Sequence, residues 1–251
     1  MTTLRDITTR LVPDLLSAAA LLTRLPLPDH APTGGASAWA WPVVGALIGA
    51  ICAAVASVAL ALGLTAGVVA ALTLALGAML TGGLHEDGLA DSADGLFGGW
   101  TRARRLEIMK DSRIGSYGML ALLLVTLARW SALTTILGAE GHWPALIAAG
   151  AISRAPMALI MAVLPNARGT GLSHATGAPT LAVAGIGAGL AALIGLAAGG
   201  TVLAMLALTA ATSAALAFSA QRRIGGQTGD ILGASQQLAD AACLAALASH
   251  F

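Results

Sequence analysis

The chain has 251 residues, of which 57% are hydrophobic and only 10% are charged, and its mean hydropathy is +0.83. A soluble domain averages about 25% charged residues, so this chain has too few charges to cover a water-exposed surface. We therefore expect lipid to be its main solvent. The 13 basic and 12 acidic residues nearly balance, which argues against a general nucleic-acid binder, because such a protein carries a basic excess.

The N-terminal region places Arg5 and Arg10 before an apolar run, as a signal peptide does. Pro13 and Asp14 interrupt that run, and no clear cleavage site of small residues follows. We therefore predict that residues 8–25 form a retained helix that lies in or near the membrane interface.

The rest of the chain contains seven apolar stretches, each close to the ~20 residues that a helix needs to cross a bilayer. Their Ala, Leu, Gly and Val residues favour close helix contact within lipid. The predicted spans are Trp41–Leu62, Thr65–Thr81, Tyr117–Leu137, Pro144–Leu164, Pro179–Ala198, Thr201–Ala220 and Ile231–Ser249. The sequence thus predicts an all-α fold, in which a polytopic transmembrane bundle and the N-terminal helix form one membrane domain over residues 1–251.

The basic residues divide unevenly between the connections of these spans. Eleven of the 13 lie in alternating segments, namely 1–40, 82–116, 165–178 and 221–230. The opposite connections hold none, and the other two, Arg129 and Arg154, lie within spans. Because Lys and Arg accumulate on the cytoplasmic side, we predict a cytoplasmic N-terminus. Segments 82–118 and 221–234 then lie on the same face and can share one site.

An acidic motif follows the second predicted span, with the sequence T-G-G-L-H-E-D-G-L-A-D-S-A-D-G. Its residues Asp87, Asp91 and Asp94 stand at i, i+4 and i+7, on one stripe of a helix. Three carboxylates on one stripe repel one another unless cations lie between them, so the spacing indicates bound Mg²⁺ or Mn²⁺. A solvated acidic face is the alternative, but such faces usually mix Glu with Lys, whereas this one interleaves Asp with Gly and Ala.

Five basic residues follow the acidic motif within the same segment. Hard metal ligands beside Arg and Lys are the groups that phosphate transfer requires. Arg102, Arg104 and Arg105 could equally be topology determinants or contacts of lipid headgroups. We expect Lys110 and Arg113, in the motif K-D-S-R-I-G-S-Y-G, to contact phosphate or substrate.

A second polar motif, R-R-I-G-G-Q-T-G-D-I-L-G-A, precedes the last predicted span. Its glycines, which include Gly225 and Gly226, give a weak phosphate-loop signal, because the Lys-Ser/Thr of a P-loop is missing. Its single acid, Asp230, could be a helix cap or could complete the metal site. Within the spans, Arg129, Arg154 and Asp240 are costly in hydrocarbon, so we expect them to pair with one another or to face a cavity.

Five blocks of the sequence match a known family. They are L-L-T-R-L-P-L-P (21–28), W-P-V-V-G-A-L-I-G (41–49), G-G-L-H-E-D-G-L-A-D-S-A-D-G (82–95), I-M-K-D-S-R-I-G-S-Y-G (108–118) and G-G-Q-T-G-D-I-L-G-A (225–234). Over nearly its whole length the chain resembles the cobalamin synthase family of membrane enzymes. The resemblance implies that a hydroxyl of α-ribazole, or of its 5′-phosphate, attacks the cobinamide-linked phosphate of adenosylcobinamide-GDP, and that GMP leaves.

The resemblance also implies a Mg²⁺ cofactor and a set of site residues. The expected metal ligands are Asp87, Asp91, Asp94 and Asp230. Further catalytic residues are His85, Lys110 and Arg113, with His85 or a non-ligating carboxylate as the proton acceptor; a structural role for His85 is the alternative. The expected substrate contacts are Glu86, Asp111, Ser112, Arg113, Gly225, Gly226, Thr228 and Asp230. The expected location is the bacterial inner membrane, with the catalytic face on the cytoplasmic side. No nucleic-acid partner is expected, and a homo-oligomer is an open alternative.

Two other functions compete with this interpretation. A CDP-alcohol phosphotransferase signature begins D-x-x-D-G-x-x-A-R, and Asp91 to Gly95 match its start. Gly98 and Gly99 stand where Ala-Arg is required, and the later acidic pair is missing. A membrane transporter would explain charged residues within the spans, but the acidic motif lies at a membrane boundary and not at the midplane, where transporter sites usually lie.

Overall fold

The computed structural model describes residues 10–139 and 141–250, and within them regular structure is almost entirely helical. The α-helices are α1 (Leu11–Leu22), α2 (Trp41–Ala61), α3 (Ala66–Thr81), α4 (Leu84–Gly98), α5 (Arg102–Ile108), α6 (Ser116–Gly138), α7 (His142–Ile152), α8 (Ala155–Val163), α9 (Leu172–Thr176), α10 (Leu181–Gly195), α11 (Val202–Ile224) and α12 (Gly229–Ala248). Two 3₁₀ helices, Gly34–Ala40 and Leu196–Thr201, precede α2 and α11. The predicted all-α fold is confirmed.

Five helical segments are long and apolar enough to cross a membrane, and the pair α3 and α4 makes a sixth if its two helices count as one bent span. The five are Gly34–Ala61, Ser116–Gly138, His142–Val163, Leu181–Ile224 and Gly229–Ala248. The prediction of a membrane-spanning bundle is therefore confirmed, whereas the count of seven spans is not.

The difference in span count arises at two places. Helix α3 has 16 residues, so it is long enough to cross a membrane only if α4 is counted with it. The fifth and sixth predicted spans lie in one helical segment of 44 residues, Leu181–Ile224. A straight helix of that length would measure about 66 Å, about twice the hydrocarbon core. Gly199 interrupts it, with φ 65° and ψ −145°, so the segment is not a single straight helix.

Small residues bring the central helices into backbone contact. A Cβ atom on Gly45 of α2 would overlap the Gly150 carbonyl of α7, and one on Gly49 would overlap the Leu146 carbonyl. Larger side chains would separate the two helices, because neither backbone has room to yield. The small-residue pattern of the spans therefore produces tight packing, as predicted.

A sharp corner separates α3 from α4. Gly82 and Gly83 have φ values of 68° and 70°, which favour glycine, and the axes of the two helices differ by 91°. The Arg24 backbone N–H donates to the Leu80 carbonyl at 2.7 Å and so ties the chain after α1 to this corner. Helix α4, which carries the acidic motif, therefore turns away from α3 and packs against α12.

Helix α1 confirms an N-terminal helix, which covers Leu11–Leu22 and so ends three residues before the predicted bound at residue 25; residues 8 and 9 lie outside the described residues. Asp14 is buried, and it accepts a hydrogen bond from the Trp39 indole N–H at 2.9 Å. Arg10 lies 3.7 Å from the other carboxylate oxygen. The polar residue that interrupts the apolar run thus anchors α1 to the 3₁₀ helix before α2.

Candidate active site

The two polar motifs meet where α4 crosses the beginning of α12. A Cβ atom on Gly88 would lie 2.8 Å from the Asp230 carbonyl oxygen, and one on Gly233 would lie 3.2 Å from the Cα of His85. These two glycines therefore allow the helices to touch backbone to backbone. The structure thus brings the beginning of segment 82–118 together with segment 221–234, as expected if the two share a site.

Three carboxylates form one cluster at this crossing. Asp87 is exposed, whereas Asp91 and Asp230 are half-buried. The negative charges of Asp230 and Asp87 both act on Asp91, and that of Asp87 acts on Asp230. Oxygen ligands of this kind suit a hard divalent cation. The cluster joins two of the three motif aspartates to Asp230, which sequence reasoning left open between a cap and a metal ligand.

Asp94 occupies a different position. It is buried, and its two carboxylate oxygens accept hydrogen bonds from the backbone N–H groups of Gly115 at 2.7 Å and Gly118 at 2.9 Å. Asp94 therefore caps the N-terminus of α6. A Cβ atom on either glycine would collide with this carboxylate, which explains the two glycines of I-G-S-Y-G.

The predicted metal stripe is thus divided between two roles. Within residues 10–139 and 141–250, no group of three or more His, Cys, Asp and Glu side chains is arranged to hold a metal ion. The i, i+4, i+7 spacing did place the aspartates on one helix, but Asp94 lies beyond the crossing with α12 and faces α6. A metal that bound Asp87 or Asp230 in the cleft would therefore need further ligands from outside the protein.

Arg168 supplies a cation to the cluster, and sequence reasoning missed this role. Its guanidinium Nη2 lies 2.5 Å from the Asp230 carboxylate. The loop that carries it is fixed by the Asn166 side-chain oxygen, which accepts hydrogen bonds from the backbone N–H groups of Arg168 and Gly169. The only sequence signal was a single basic residue in the segment 165–178, which we had weighed for topology alone.

The loop of Arg168 is also joined to the second motif through the backbone. The Ala167 N–H donates to the Gln227 carbonyl, and the Gln227 N–H donates to the Pro165 carbonyl, both at 2.8 Å. Gly226, with φ 154°, packs on Pro165 so closely that a Cβ atom would overlap the Pro165 carbonyl. The pairing of these two segments places Arg168 beside Asp230.

A cleft with about 740 Å³ of empty space, part of it open solvent, lies beside the cluster. Its polar side is formed by Asp87, Arg168, Thr170, Ser173 and Asp230, and its apolar side includes Leu21, Leu22, Trp41, Met157 and Met161. The cleft can therefore take a ligand that is anionic at one end and has a large apolar surface at the other.

His85 lies in the wall of this cleft. It is 2% exposed, and its Nε2 atom has no hydrogen-bond partner among the described residues. The same side chain also lines a second cavity on the inner side of α4. His85 is therefore placed where it can contact a ligand, as expected for a proton acceptor, although burial alone would also suit a structural histidine.

The loop with Lys110, Asp111, Ser112 and Arg113 lies outside the lining of the cleft. Arg113 donates two hydrogen bonds to Asp111, from Nε at 3.0 Å and from Nη2 at 2.6 Å. These bonds hold the pKa of Asp111 at about 2, below its ordinary value. The two residues border a separate crevice with Asp94 and Tyr117. The structure does not bring this loop together with Asp87 and Asp230.

The remaining predicted substrate contacts of the second motif have backbone roles. Gly225, with φ 77°, ends α11, while Gly226 packs on Pro165. Thr228 is the N-cap of α12, where its Oγ1 accepts from the Ile231 N–H and donates to the Asp230 carboxylate, each at 3.3 Å. None of these three lines the cleft. Thr228 instead orients Asp230, which does.

Glu86 belongs to the inner side of α4 and not to the cleft. It accepts a hydrogen bond from Gln237 at 3.0 Å and lies 3.8 Å from Arg129. Arg129 in turn pairs with Asp240 at 2.9 Å. The expected pairing of charges within the spans is thus confirmed for Arg129 and Asp240, while Arg154 forms no salt bridge with a carboxylate of the described residues.

Comparisons with known proteins identify the family of the chain. A model of the cobalamin-5-phosphate synthase family matches residues 14–248. A protein of Bradyrhizobium diazoefficiens named adenosylcobinamide-GDP ribazoletransferase is 44% identical over 233 residues, which cover 90% of this chain and 89% of the relative. A protein of Mesorhizobium japonicum with the same name is 44% identical over 240 residues, covering 94% and 92%.

A third relative of that name, from Rhizobium meliloti, is 42% identical over 250 residues, which cover 94% of this chain and 95% of the relative. No solved structure matches the chain. The family model spans almost the full sequence and includes both polar motifs that meet at the cleft. The chain therefore belongs to the cobalamin-5-phosphate synthase family.

Proposed function

We propose that the chain transfers the adenosylcobinamide-phosphate group of adenosylcobinamide-GDP to α-ribazole or α-ribazole 5′-phosphate, with release of GMP, in a late step of cobalamin biosynthesis. The observation that carries this proposal is the cleft at the crossing of α4 and α12, which combines two carboxylates, Asp87 and Asp230, and the Arg168 guanidinium with an apolar wall. A corrinoid linked to a diphosphate needs both kinds of surface.

The carboxylates and Arg168 have complementary tasks in this proposal. Asp87, Asp91 and Asp230 together would repel a diphosphate, so their clustering favours a bound cation between them and the substrate. Mg²⁺ commonly binds through one or two carboxylates and completes its coordination with phosphate oxygens and water, and Mn²⁺ is similar. Such an ion would neutralise charge on the leaving GMP. Arg168 lies where it can donate to the remaining phosphate oxygens.

The other residues of the cleft orient the reactants. Met157, Met161 and Trp41 form a surface on which an apolar ring can pack. His85 would accept the proton of the attacking hydroxyl, because its unpartnered Nε2 lies in the wall beside Asp87. The proposal includes both α-ribazole and α-ribazole 5′-phosphate as acceptors of the transferred group.

We also propose that the cleft faces the cytoplasm, with the N-terminus on the same side of a bacterial inner membrane. The distribution of Lys and Arg supports this orientation, because eleven of the 13 lie in segments that would share one side. A cytoplasmic cleft would also give direct access to soluble nucleoside substrates.

The reaction can be tested with the purified protein in detergent or in lipid nanodiscs. We expect GMP release from adenosylcobinamide-GDP only when α-ribazole or its 5′-phosphate and Mg²⁺ are both present, with a stoichiometric corrinoid product. Product formation from a CDP-lipid precursor in place of that reaction would support a CDP-alcohol phosphotransferase. Counter-transport of substrate in vesicles without any product would support a transporter.

A further inference from the structure

We propose that the cavity on the inner side of α4 binds a carboxamide group of the corrinoid, held between the Arg154 guanidinium and the Glu86 carboxylate. The cavity, named here the inner cavity, has about 60 Å³ of space for water-sized molecules and is lined by residues of α2, α3, α4, α6, α7 and α12. This inference rests on the proposed function, because it assigns a binding site for one part of the proposed substrate.

The inner cavity is adjacent to the cleft. His85 lines both spaces, so one side chain forms a common wall between them. Its neighbours on α4 point to different sides, with Asp87 in the cleft and Glu86 in the inner cavity. The two spaces therefore meet at His85, on opposite sides of α4.

Arg154 provides an unused donor in the inner cavity. Its side chain is 6% exposed, and Nη1 donates to the Gly150 carbonyl at 3.2 Å and to the Ser153 hydroxyl at 2.9 Å. Its Nε atom has no hydrogen-bond partner within the described part of the chain. A buried guanidinium without a complementary acceptor is costly in the interior of a membrane protein. The side chain is therefore prepared to bind an acceptor atom.

Glu86 provides an unused acceptor in the same cavity. Its Oε1 atom accepts the hydrogen bond from Gln237, whereas its buried Oε2 has no partner among residues 10–139 and 141–250. Gln237 also accepts a hydrogen bond from Arg129, so the position of Glu86 is fixed by a network. The lining of the inner cavity thus contains one donor and one acceptor that are buried and have no hydrogen-bond partner among the described residues.

A carboxamide satisfies both atoms at once. Its carbonyl oxygen accepts from Arg154, and its N–H₂ group donates to Glu86. A carboxylate at this place would bind Arg154 but be repelled by Glu86, and a hydrocarbon would leave both residues unpaired. The cobinamide part of the substrate carries carboxamide side chains around its ring, and the inner cavity would select one of them.

The test compares adenosylcobinamide-GDP with derivatives in which one carboxamide is hydrolysed to a carboxylate. We expect the wild-type protein to lose about tenfold or more in kcat/KM for GMP release with one positional isomer, because a buried carboxylate then faces Glu86. With Glu86→Gln, kcat/KM for the carboxylate derivative should lie within about threefold of that for the amide substrate, since glutamine can donate to the carboxylate. Glu107→Gln, the same change at an exposed residue of α5, should retain the wild-type preference.

The outcomes separate this inference from the proposed function. Equal turnover of all isomers by the wild-type protein, or an unchanged preference in Glu86→Gln, would overturn the inference while GMP release from the amide substrate continued. Absence of GMP release from every substrate would overturn both proposals. If Glu86→Gln fails to accumulate in the membrane, the preference of the wild-type protein among the isomers decides the matter alone.

Discussion

Arg168 and Asp230 form an ion pair across two chain segments, with Nη2 of the arginine 2.5 Å from the aspartate. Arg168 lies in the loop before α9, and Asp230 lies in the first turn of α12. The pair places a guanidinium beside Asp87 and Asp230 in the cleft, where the proposed phosphate groups and divalent cation would bind side by side. Through this contact, the loop before α9, which contains no recognised motif, joins the site formed by the two sequence motifs.

Replacement of this guanidinium tests its role in phosphate binding. We expect Arg168→Gln to lower kcat/KM for GMP release by about 10²-fold or more, because a cation beside developing phosphate charge contributes on this scale. The measurement is steady-state GMP release by protein in nanodiscs. Arg104→Gln is the control, since Arg104 pairs with exposed Glu107 and does not line the cleft. Turnover by Arg168→Gln close to that of the control would contradict the assignment.

The metal proposal is tested at Asp87, which is exposed and lines the cleft. We expect Asp87→Asn to raise the Mg²⁺ concentration needed for half-maximal activity by about tenfold or more, with an unchanged apparent Tm. Titration of GMP release with Mg²⁺ and with Mn²⁺ gives the first quantity. A variant with the wild-type Mg²⁺ requirement would remove Asp87 from the set of ligands.

Asp94 should behave differently from Asp87, because it caps α6. We expect Asp94→Asn to lower the free energy of unfolding by about 1–3 kcal/mol, since a buried carboxylate that accepts two backbone N–H groups is lost. A thermal unfolding curve in detergent measures the effect as a lower apparent Tm. Gly118→Ala should reproduce it, because a Cβ atom there would collide with the same carboxylate. If Asp94→Asn left Tm unchanged and altered only the Mg²⁺ titration, Asp94 would be a ligand after all.

The contact between Gly226 and Pro165 should control the position of Arg168. We expect Gly226→Ala to reduce turnover by about tenfold or more, because the added Cβ atom forces apart the two segments that carry Arg168 and Asp230. Gly185→Ala in α10 is the matched control, since no atom lies within 4 Å of its Cβ position. Equal activities of the two variants would show that the segments can separate without consequence.

The sequence was informative wherever a local pattern determined the structure. Composition predicted the all-α membrane fold, and the cost of charge in lipid predicted the pair of Arg129 and Asp240. The proximity of α4 and the beginning of α12 agrees with the count of charged connections. Asp94 shows the limit of such patterns, because helical spacing gives the direction of a side chain and does not give the element that lies opposite.

The residues that sequence reasoning missed are those placed by long-range contacts. Arg168 belongs to no motif and reaches Asp230 only because backbone hydrogen bonds tie its loop to the segment before α12. The count of seven spans is not confirmed for a different reason. Helix α3 has only 16 residues, and the fifth and sixth predicted spans lie in one helical segment that is interrupted at Gly199. Membrane orientation, metal identity and oligomeric state stay predictions.

The corner between α3 and α4 also sets the depth at which chemistry takes place. Asp87 follows Gly83 by four residues, which corresponds to about 6 Å along a helix. The phosphate-handling end of the cleft is thereby held within one helical turn of the end of an apolar helix. An amphipathic corrinoid could then react while its ring stays at the lipid boundary. The water-soluble acceptor, α-ribazole or its 5′-phosphate, would then diffuse to the cleft from the aqueous phase.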